Sequence, residues 1–384
     1  MGYLLSIMVP TKNRYKYLYE LVNLIVSFET EEIELVIQDN SDNNTEFIDF
    51  LNEVRGSNSW IKYYHTNEYL TSIQNFDKAM KNCTGEYVCF IGDDDGVVRN
   101  IVDYVKWMKD NNIDALRCPI SGYFWPATGK YGSYLKMDSC DGHVEHLNPI
   151  NELQKVLRNG CQGLGNMPVV YAGIAKRAVL DRIYKDFGTY FLAASADMAS
   201  GVALCFYVNK YVKVHSPIII TGTSKMTGGG VQQIRLIKLK DVPFINQTMK
   251  DEWEGYFPPL WTGTLVWPES CIKTLRKMGK EAFLTMVNYS RMMACFNYAN
   301  KSYKEVALEL STSKIQFYYY LIKIYTKWFV DGVSDRLIRL ISRKTRCLGG
   351  RCYYNVSDIK NAENLLYKYE LSVRKIKSSK HYKF

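Results

Sequence analysis

The chain has 384 residues, 47% of them hydrophobic, with 49 Lys and Arg against 39 Asp and Glu for a net charge of +10. That length suits one large domain with an extension, and the hydrophobic share allows a real core and excludes a globally disordered chain. From Ile272 to the C-terminus there are 23 basic and 8 acidic residues, a net +15; the first 271 residues hold 26 against 31, a net −5. The expectation is an acidic globular body carrying a basic tail that seeks an anionic surface. The ten cysteines are scattered, with no CxxC pair, and only Cys347 and Cys352 lie close together. With no secretory signal at the N-terminus, they read as reduced thiols in a cytoplasmic protein, and the six Asn-x-Ser/Thr sequons, Asn43 and Asn82 among them, then carry no information. Met1 to Ser6 formally fits a myristoylation pattern, but it overlaps the first core strand and reads as chance. No uninterrupted apolar stretch reaches the ~18 residues of a membrane-spanning helix.

Leu4 to Val9 reads as an apolar strand stopped by Pro10. Asn13 to Phe28 follows with Leu18, Leu21, Val22, Ile25 and Phe28 at helical spacing. Ile33 to Ile37 is a second strand that ends in the polar turn Gln38-Asp39-Asn40-Ser41-Asp42. Phe47 to Val54 is expected to be helical, Ile61 to His65 a third strand, and Ser72 to Asn82 a helix with Ile73, Phe76, Ala79 and Met80 on one face. Glu86 to Ile91, bounded by Gly85 and Gly92, reads as a buried strand. It runs into Asp93-Asp94-Asp95-Gly96, and a helix from about Val98 to Lys109 follows. Strands alternating with helices imply a mostly parallel α/β sheet, in which ligands gather beyond the carboxyl ends of the strands. Pro10-Thr11, Asp39 and Asp93 to Asp95 all fall at such ends.

Three adjacent carboxylates repel and need a counter-charge or full solvation. A divalent cation shared with a diphosphate would supply the first; a solvated acidic turn closed by Gly96 would provide the second. Further along, Leu116 to Ile120 reads as a strand, and a polar, Gly-rich excursion passes through Asp141 and His146. Val169 to Ile174 reads as strand and Arg177 to Tyr184 as helix. Ser195 is placed as the N-cap of a helix with Asp197 in its first turn. The apolar run Val212 to Ile220 closes the sheet region and leads into a glycine cluster, Gly228 to Gly230, a loop over the site or a linker. The division expected is 1–230 for the catalytic body, 231–268 for an aromatic and Pro-rich connection, and 269–384 for a helical basic extension.

Ser6 to Arg14, Val36 to Ser41, and Thr84 to Val88 leading into Gly92 to Asp95 resemble, in order and spacing, the family 2 glycosyltransferases of GT-A fold, most closely those that build bacterial surface polysaccharides. The resemblance spans roughly Leu4 to Thr223 and fades between Arg117 and Met167. It implies that Pro10, Thr11, Asn13 and Arg14 line a nucleotide pocket and that Asp39 accepts a hydrogen bond from the base, typically uracil. It further implies that the aspartates form the DxD site, Asp93 toward the nucleotide sugar and Asp94 and Asp95 toward Mn²⁺ or Mg²⁺. Two registrations stay open: Asp93-x-Asp95 fits the DxD spelling, whereas the Asp-x-Asp-Asp pattern puts Gly92 first and leaves Asp94 as the metal ligand. Asp197 resembles the catalytic base of inverting members, and a helix N-terminus would lower its pKa. Ser224 and Lys225 could reach the diphosphate. Where the family often has Asn-x-Gly, this chain has Asn67-Glu68-Tyr69.

The function implied is metal-dependent transfer of a sugar from a nucleotide diphosphate, a UDP-sugar by preference, to a glycan or lipid-linked saccharide with inversion. The competing readings are nucleotidyl or phosphoryl transfer by the same carboxylates, and a silent relative that binds glycan or membrane. Lys314 to Lys344 interleaves Ile315, Tyr318, Tyr319, Ile322, Trp328 and Phe329 with Lys323, Lys327, Arg336, Arg339 and Arg343. Such a stripe either lies on an anionic membrane, making the protein peripheral on the inner face of the plasma membrane, or docks on the body. Trp253 to Trp261 reads as a sugar-stacking surface or as the anchor of the tail. No nucleic-acid-binding motif accompanies the charge.

Overall fold

The computed structural model of the chain describes residues 2–56, 58–126, 133–225, 236–342, 346–347 and 350–378. The strands in chain order are β1 (Leu5–Thr11), β2 (Ile33–Asp39), β3 (Ile61–His65), β4 (Tyr87–Phe90), β5 (Gly96–Val97), β6 (Ala115–Arg117), β7 (Ile120–Phe124) and β8 (Tyr134–Asp138). They continue with β9 (Val144–Leu147), β10 (Gly173–Lys176), β11 (Tyr211–Val214), β12 (Ile219–Thr223), β13 (Ile237–Lys238), β14 (Leu260–Trp261), β15 (Arg346–Cys347) and β16 (Gly350–Tyr354). Helices α1 (Tyr15–Val26), α2 (Thr45–Arg55), α3 (Ser72–Asn82), α4 (Ile101–Asp110), α5 (Pro149–Arg158), α6 (Arg177–Phe187) and α7 (Ala196–Tyr207) flank them.

The expected α/β layering is present, with a large sheet in the order β3-β2-β1-β4-β10-β6-β11-β9. It is mostly parallel as expected, with β10 and β9 as its antiparallel members. β1 to β4 run parallel, β10 runs against both β4 and β6, and β9 against β11. Every residue of β1, β2 and β4 is buried, which is why these segments read as unbroken apolar runs. A second sheet, β15-β16-β8-β7-β12-β5, stands beside the first.

Four local readings change. β1 does not stop at Pro10: beyond Met8 it no longer pairs with β4, so Pro10 and Thr11 continue as a one-sided edge opposite Gln38 and Asp39, where a missing N–H is tolerated. Val169 to Ala172 is not continuous strand; Tyr171 makes a single parallel bridge to Phe90, Ala172 takes a positive φ of 51°, and the strand proper starts at Gly173. The run Val212 to Ile220 is two strands, β11 in the first sheet and β12 in the second, parted at Ser216-Pro217. Of the basic extension, the last helix (Ile359–Ser378) belongs to the main body. Ile359, Ala362 and Leu366 join the core of α1 and β5, β16 pairs with β8, and Glu363 and Glu370 are fully buried against Arg99, Asn100 and Tyr104.

The helix Lys314–Ile341 differs. Phe317 is buried, and Tyr320, Leu321 and Ile324 pack on the helical core around Tyr289–Ala299. Along its outer face Ile315, Tyr319, Ile322, Tyr325, Phe329, Val333, Leu337 and Leu340 are exposed at three- and four-residue spacing. Among the described residues no helix is long and apolar enough to cross a membrane.

One buried acid explains the Thr84-Gly85-Glu86 block. Glu34 on β2 accepts from the Ser6 hydroxyl at 2.6 Å, from the Thr84 hydroxyl at 2.8 Å and from the Gly85 N–H at 3.1 Å. A Cβ on Gly85 would lie 2.6 Å from the Ser6 nitrogen, so only glycine lets β4 enter beside β1.

Candidate active site

The carboxyl ends of β1, β2 and β4 meet at one rim. Asn13 takes a positive φ of 56°, a conformation asparagine tolerates, and this turns its backbone N–H onto the Ser41 hydroxyl at 2.6 Å. Its side chain exchanges hydrogen bonds with Asp42, so the loops after β1 and β2 form one surface. Lys12 reaches Asn40 Oδ1 at 3.2 Å and stands over the ring of Tyr69, which occupies the place of the missing glycine. The Tyr69 hydroxyl donates to the carbonyl of Pro243. Pro10 lines β1 directly behind this turn.

Asp39 lies at the end of β2 but is wholly inside. Its Oδ2 accepts from the hydroxyls of Tyr15 at 2.5 Å and Tyr63 at 2.7 Å, and its Oδ1 from the Ser41 N–H at 2.8 Å. Burial and this carboxylate push both phenols far above the ordinary tyrosine range.

The three aspartates are not a solvated turn: Asp93, Asp94 and Asp95 are each 2% exposed or less. They divide into two functions. Asp95 is engaged by the chain itself, accepting from the Gly92 N–H at 2.7 Å, the Gly222 N–H at 2.6 Å and the Tyr171 hydroxyl at 2.9 Å. Asp93 and Asp94 converge instead on one guanidinium: Arg14 Nη2 lies 3.1 Å from Asp93 Oδ1 and 2.7 Å from Asp94 Oδ2. The Thr11 hydroxyl steadies Asp93 at 2.6 Å, and the indole N–H of Trp125 holds the Asp94 carbonyl at 2.9 Å. Ser224, buried at the end of β12, accepts from Arg14 at 3.1 Å, whereas Lys225 is exposed. The glycine cluster beyond it lies outside the described residues.

Burial raises Asp93 well above the usual carboxylate range; Arg14 opposes this and Asp94 adds to it. Asp95 is raised by burial and by Asp94. Burial works against the charge of Arg14, but the three carboxylates outweigh it and hold the guanidinium above its ordinary value. The chain's own cation therefore stands where repulsion between carboxylates is greatest. Among the described residues Asp93 Oδ1 has no well-formed hydrogen bond and Arg14 Nε has no acceptor, although both are buried. Two hard oxygens converging on one cation position, one of them held by charge alone without a well-formed hydrogen bond, fit a divalent cation such as Mn²⁺ or Mg²⁺. Asp95, facing Gly92, Gly222 and Tyr171, fits a brace.

Asp197 sits in the first turn of α7, yet the Ser195 side chain makes no capping bond, and the Ser195 N–H goes to the Ser270 hydroxyl at 2.9 Å. The helix end does not win: burial pushes Asp197 up to about 6, against the depression expected from the sequence. Tyr171 links the two groups, since burial and the charges of Asp95, Asp197 and Asp94 together hold its hydroxyl protonated. Burial thus raises Asp197 as it raises Asp93 and Asp95, but only Asp93 and Asp94 face the Arg14 guanidinium.

Tyr171, Trp125, Tyr15, Tyr63 and Gly222 were not visible as site residues in the sequence. Only Gly222 left a signal, an isolated glycine inside a strand, which marks close backbone approach. A Cβ there would fall 1.8 Å from the Asp94 carbonyl oxygen.

Among curated proteins, none matches this sequence. Among solved structures, S. aureus TarS 1–349 in complex with UDP-GlcNAc aligns at 17% identity and a TM-score of 0.48, covering 96% of this chain and 92% of that one. A crystal structure of S. aureus TarS aligns at 15% identity and a TM-score of 0.48; the match covers 80% of this chain and spans about 55% of the length of that one. The mannosyltransferase PcManGT from Pyrobaculum calidifontis, in complex with GDP-Man and Mn²⁺, aligns at 14% identity and a TM-score of 0.39, covering 84% of each chain. Residues 6–161 match the family model described as Glycosyl transferase family 2, a stretch that begins in β1 and includes the whole aspartate turn. The similarity to glycosyl transferase family 2 thus rests on 156 of the 384 residues, the stretch that carries the aspartate turn.

Proposed function

We propose that the protein transfers a sugar from a nucleoside diphosphate, a UDP-sugar, to a hydroxyl of a glycan or lipid-linked saccharide, with inversion, in the synthesis of a bacterial surface polysaccharide. The observation that carries this reading is the convergence of Asp93 and Asp94 on one cation position within the family 2 domain. Asp93 and Asp94 would hold Mn²⁺ or Mg²⁺, which when bound supplies positive charge against the leaving diphosphate. Asp95 keeps the turn in shape through Gly92, Gly222 and Tyr171. Arg14, released from the carboxylates, stays beside Ser224 and is long enough to bind a phosphate oxygen bidentately. Pro10, Thr11, Asn13 and the loop after β2 frame the nucleoside. Lys225 is free to close on the phosphates from the edge.

Asp197 is the base. It takes the proton of the acceptor hydroxyl as that oxygen attacks the anomeric carbon from the side opposite the diphosphate. A partly dehydrated carboxylate is a stronger base than one in water. The exposed face of the helix Lys314–Ile341 joins aromatic side chains to Lys323, Lys327 and Arg336, the composition that binds the interface of an anionic bilayer and brings the rim to a lipid-linked acceptor.

The test is a panel of UDP-, GDP- and dTDP-sugars with Mn²⁺, followed by release of free nucleotide with and without a chelator. Metal-dependent release from one UDP-sugar is the expected result. Silence across the panel, with no nucleotide binding by calorimetry, overturns the reading.

A further inference from the structure

A second group of ligands lies on the same rim of the large sheet. β11 runs parallel to β6, and its carboxyl end carries His215. The antiparallel edge strand β9 begins beside it, preceded by His143 and Asp141. The backbone fixes this corner: the His215 N–H donates to the His143 carbonyl at 2.8 Å, and the Gly142 N–H donates to the His215 carbonyl at 2.8 Å. Cross-strand partners share one face of the sheet. The two imidazoles accordingly stack, with ring centres 3.7 Å apart and planes 17° from parallel. Asp141 Oδ1 lies 2.6 Å from His143 Nδ1, and Glu145 Oε2 lies 3.5 Å from His215 Nε2.

We propose that Asp141, His143 and His215 form a binding site for a late first-row divalent cation, Zn²⁺ above all, separate from the aspartate turn. One ligand atom from each of the three already lies within 4.8 Å of the others. Tetrahedral zinc with ligands at about 2.0–2.2 Å holds its ligand atoms roughly 3.3 Å apart, so the approach needed is a change of side-chain torsion on a fixed backbone. Two imidazoles with a carboxylate suit zinc better than Mg²⁺ or Mn²⁺, which prefer all-oxygen sets. The two nearby carboxylates, Asp141 and Glu145, balance a doubly charged ion, and their exposure leaves an open path from solvent. Between β4 and β11 lie three strand-to-strand steps, about 14 Å, so this ion and a metal–nucleotide complex would not compete for ligands.

The position suggests what the ion does. Cys140, next to Asp141, donates its backbone N–H to the Tyr369 hydroxyl at 2.9 Å, and seven residues beyond His215 stands Gly222, which holds Asp95. Zinc here ties the edge strand, the docked C-terminal helix and the root of β12 at one point.

The full chain, stripped of metal and free of nucleotide, is titrated with Zn²⁺ by calorimetry and with Co²⁺ by visible absorption. The expected result is one equivalent of Zn²⁺ bound by the wild type, and binding weakened by about 10–100-fold or more in His143→Ala and in His215→Ala. Asp93→Asn/Asp94→Asn leaves it unchanged. His143 is exposed and His215 half-buried, so melting without zinc is compared first, His143→Ala being expected to match the wild type, and added zinc should raise only the wild-type midpoint. Coincident Zn²⁺ isotherms for the wild type and the His143→Ala/His215→Ala double variant overturn the proposal. So does binding lost in Asp93→Asn/Asp94→Asn but kept in the histidine variants. No uptake by the wild type at submillimolar Zn²⁺ does the same. None of these outcomes depends on sugar transfer.

Discussion

A carboxylate that accepts a proton works only while ionised, and in the base role proposed for Asp197 burial decides where that begins. With its pKa raised to about 6, kcat/KM should fall about tenfold per pH unit below pH 6, and level off above it. Asp197→Asn should keep UDP–metal affinity within about twofold and lose transfer by roughly 10³-fold, read by calorimetry beside nucleotide release. Linkage gives the sign of the effect on stability. A folded pKa above the unfolded value means the folded state holds the extra proton, so this contribution is complete below about pH 4 and lost as pH rises through 6. Asp197→Asn should thus be the more stable protein at pH 8, by on the order of 1–2 kcal/mol, with the difference vanishing near pH 4 in urea titrations. Gly222→Ala tests the aspartate turn from its backbone side. The added methyl meets the Asp94 carbonyl and should cost about 3 kcal/mol, with loss of Mn²⁺–UDP binding. A Gly222→Ala variant with unchanged urea midpoint and donor affinity would show that β12 does not shape the turn.

At the scale of elements, sequence patterns located what local physics controls. The capping box of Thr71 and Gln74 fixes the start of α3, and the apolar runs of β1, β2 and β4 stand where a doubly covered sheet requires them. What escaped is what distant pairing controls. Tyr171 meets Asp95 across 76 positions and Gly222 across 127, and no period or motif announces such contacts. The same blindness misplaced the strand near Val169, because a positive φ at Ala172 is set by its tie to Phe90 rather than by its own propensity. It also counted the last helix within a basic extension that seeks an anionic surface, whereas its buried acids are paired with α4 and the residues just before it. Glu370 accepts from the Tyr104 hydroxyl at 2.6 Å and from the Asn100 amide at 2.8 Å. Glu370→Ala leaves both donors buried without an acceptor and should cost about 2 kcal/mol in chemical denaturation.

For the whole molecule, the basic extension divides in two: the last helix is docked on the body, and Lys314–Ile341 exposes an apolar flank, for which a membrane contact is proposed. At 28 residues that helix is about 42 Å long, enough to rest across many lipid headgroups. Trp328→Glu/Phe329→Glu should release the protein from anionic vesicles in sedimentation assays, while transfer to a soluble acceptor continues. Retention of the double variant on the vesicles would show that this flank is not the membrane contact. The ion pair of Arg14 with Asp93 and Asp94 has a consequence for the life of the protein between turnovers. A carboxylate pair that relied on a diffusing ion would be driven apart whenever the ion left. Here a tethered cation takes its place, so chelator-treated protein should melt within about 1–2 °C of the metal-supplied form, while binding nucleotide poorly. On the proposed metal-dependent reading, scarcity of the ion would pause the protein instead of condemning it: the chain would wait, folded and self-neutralised, for the ion to return.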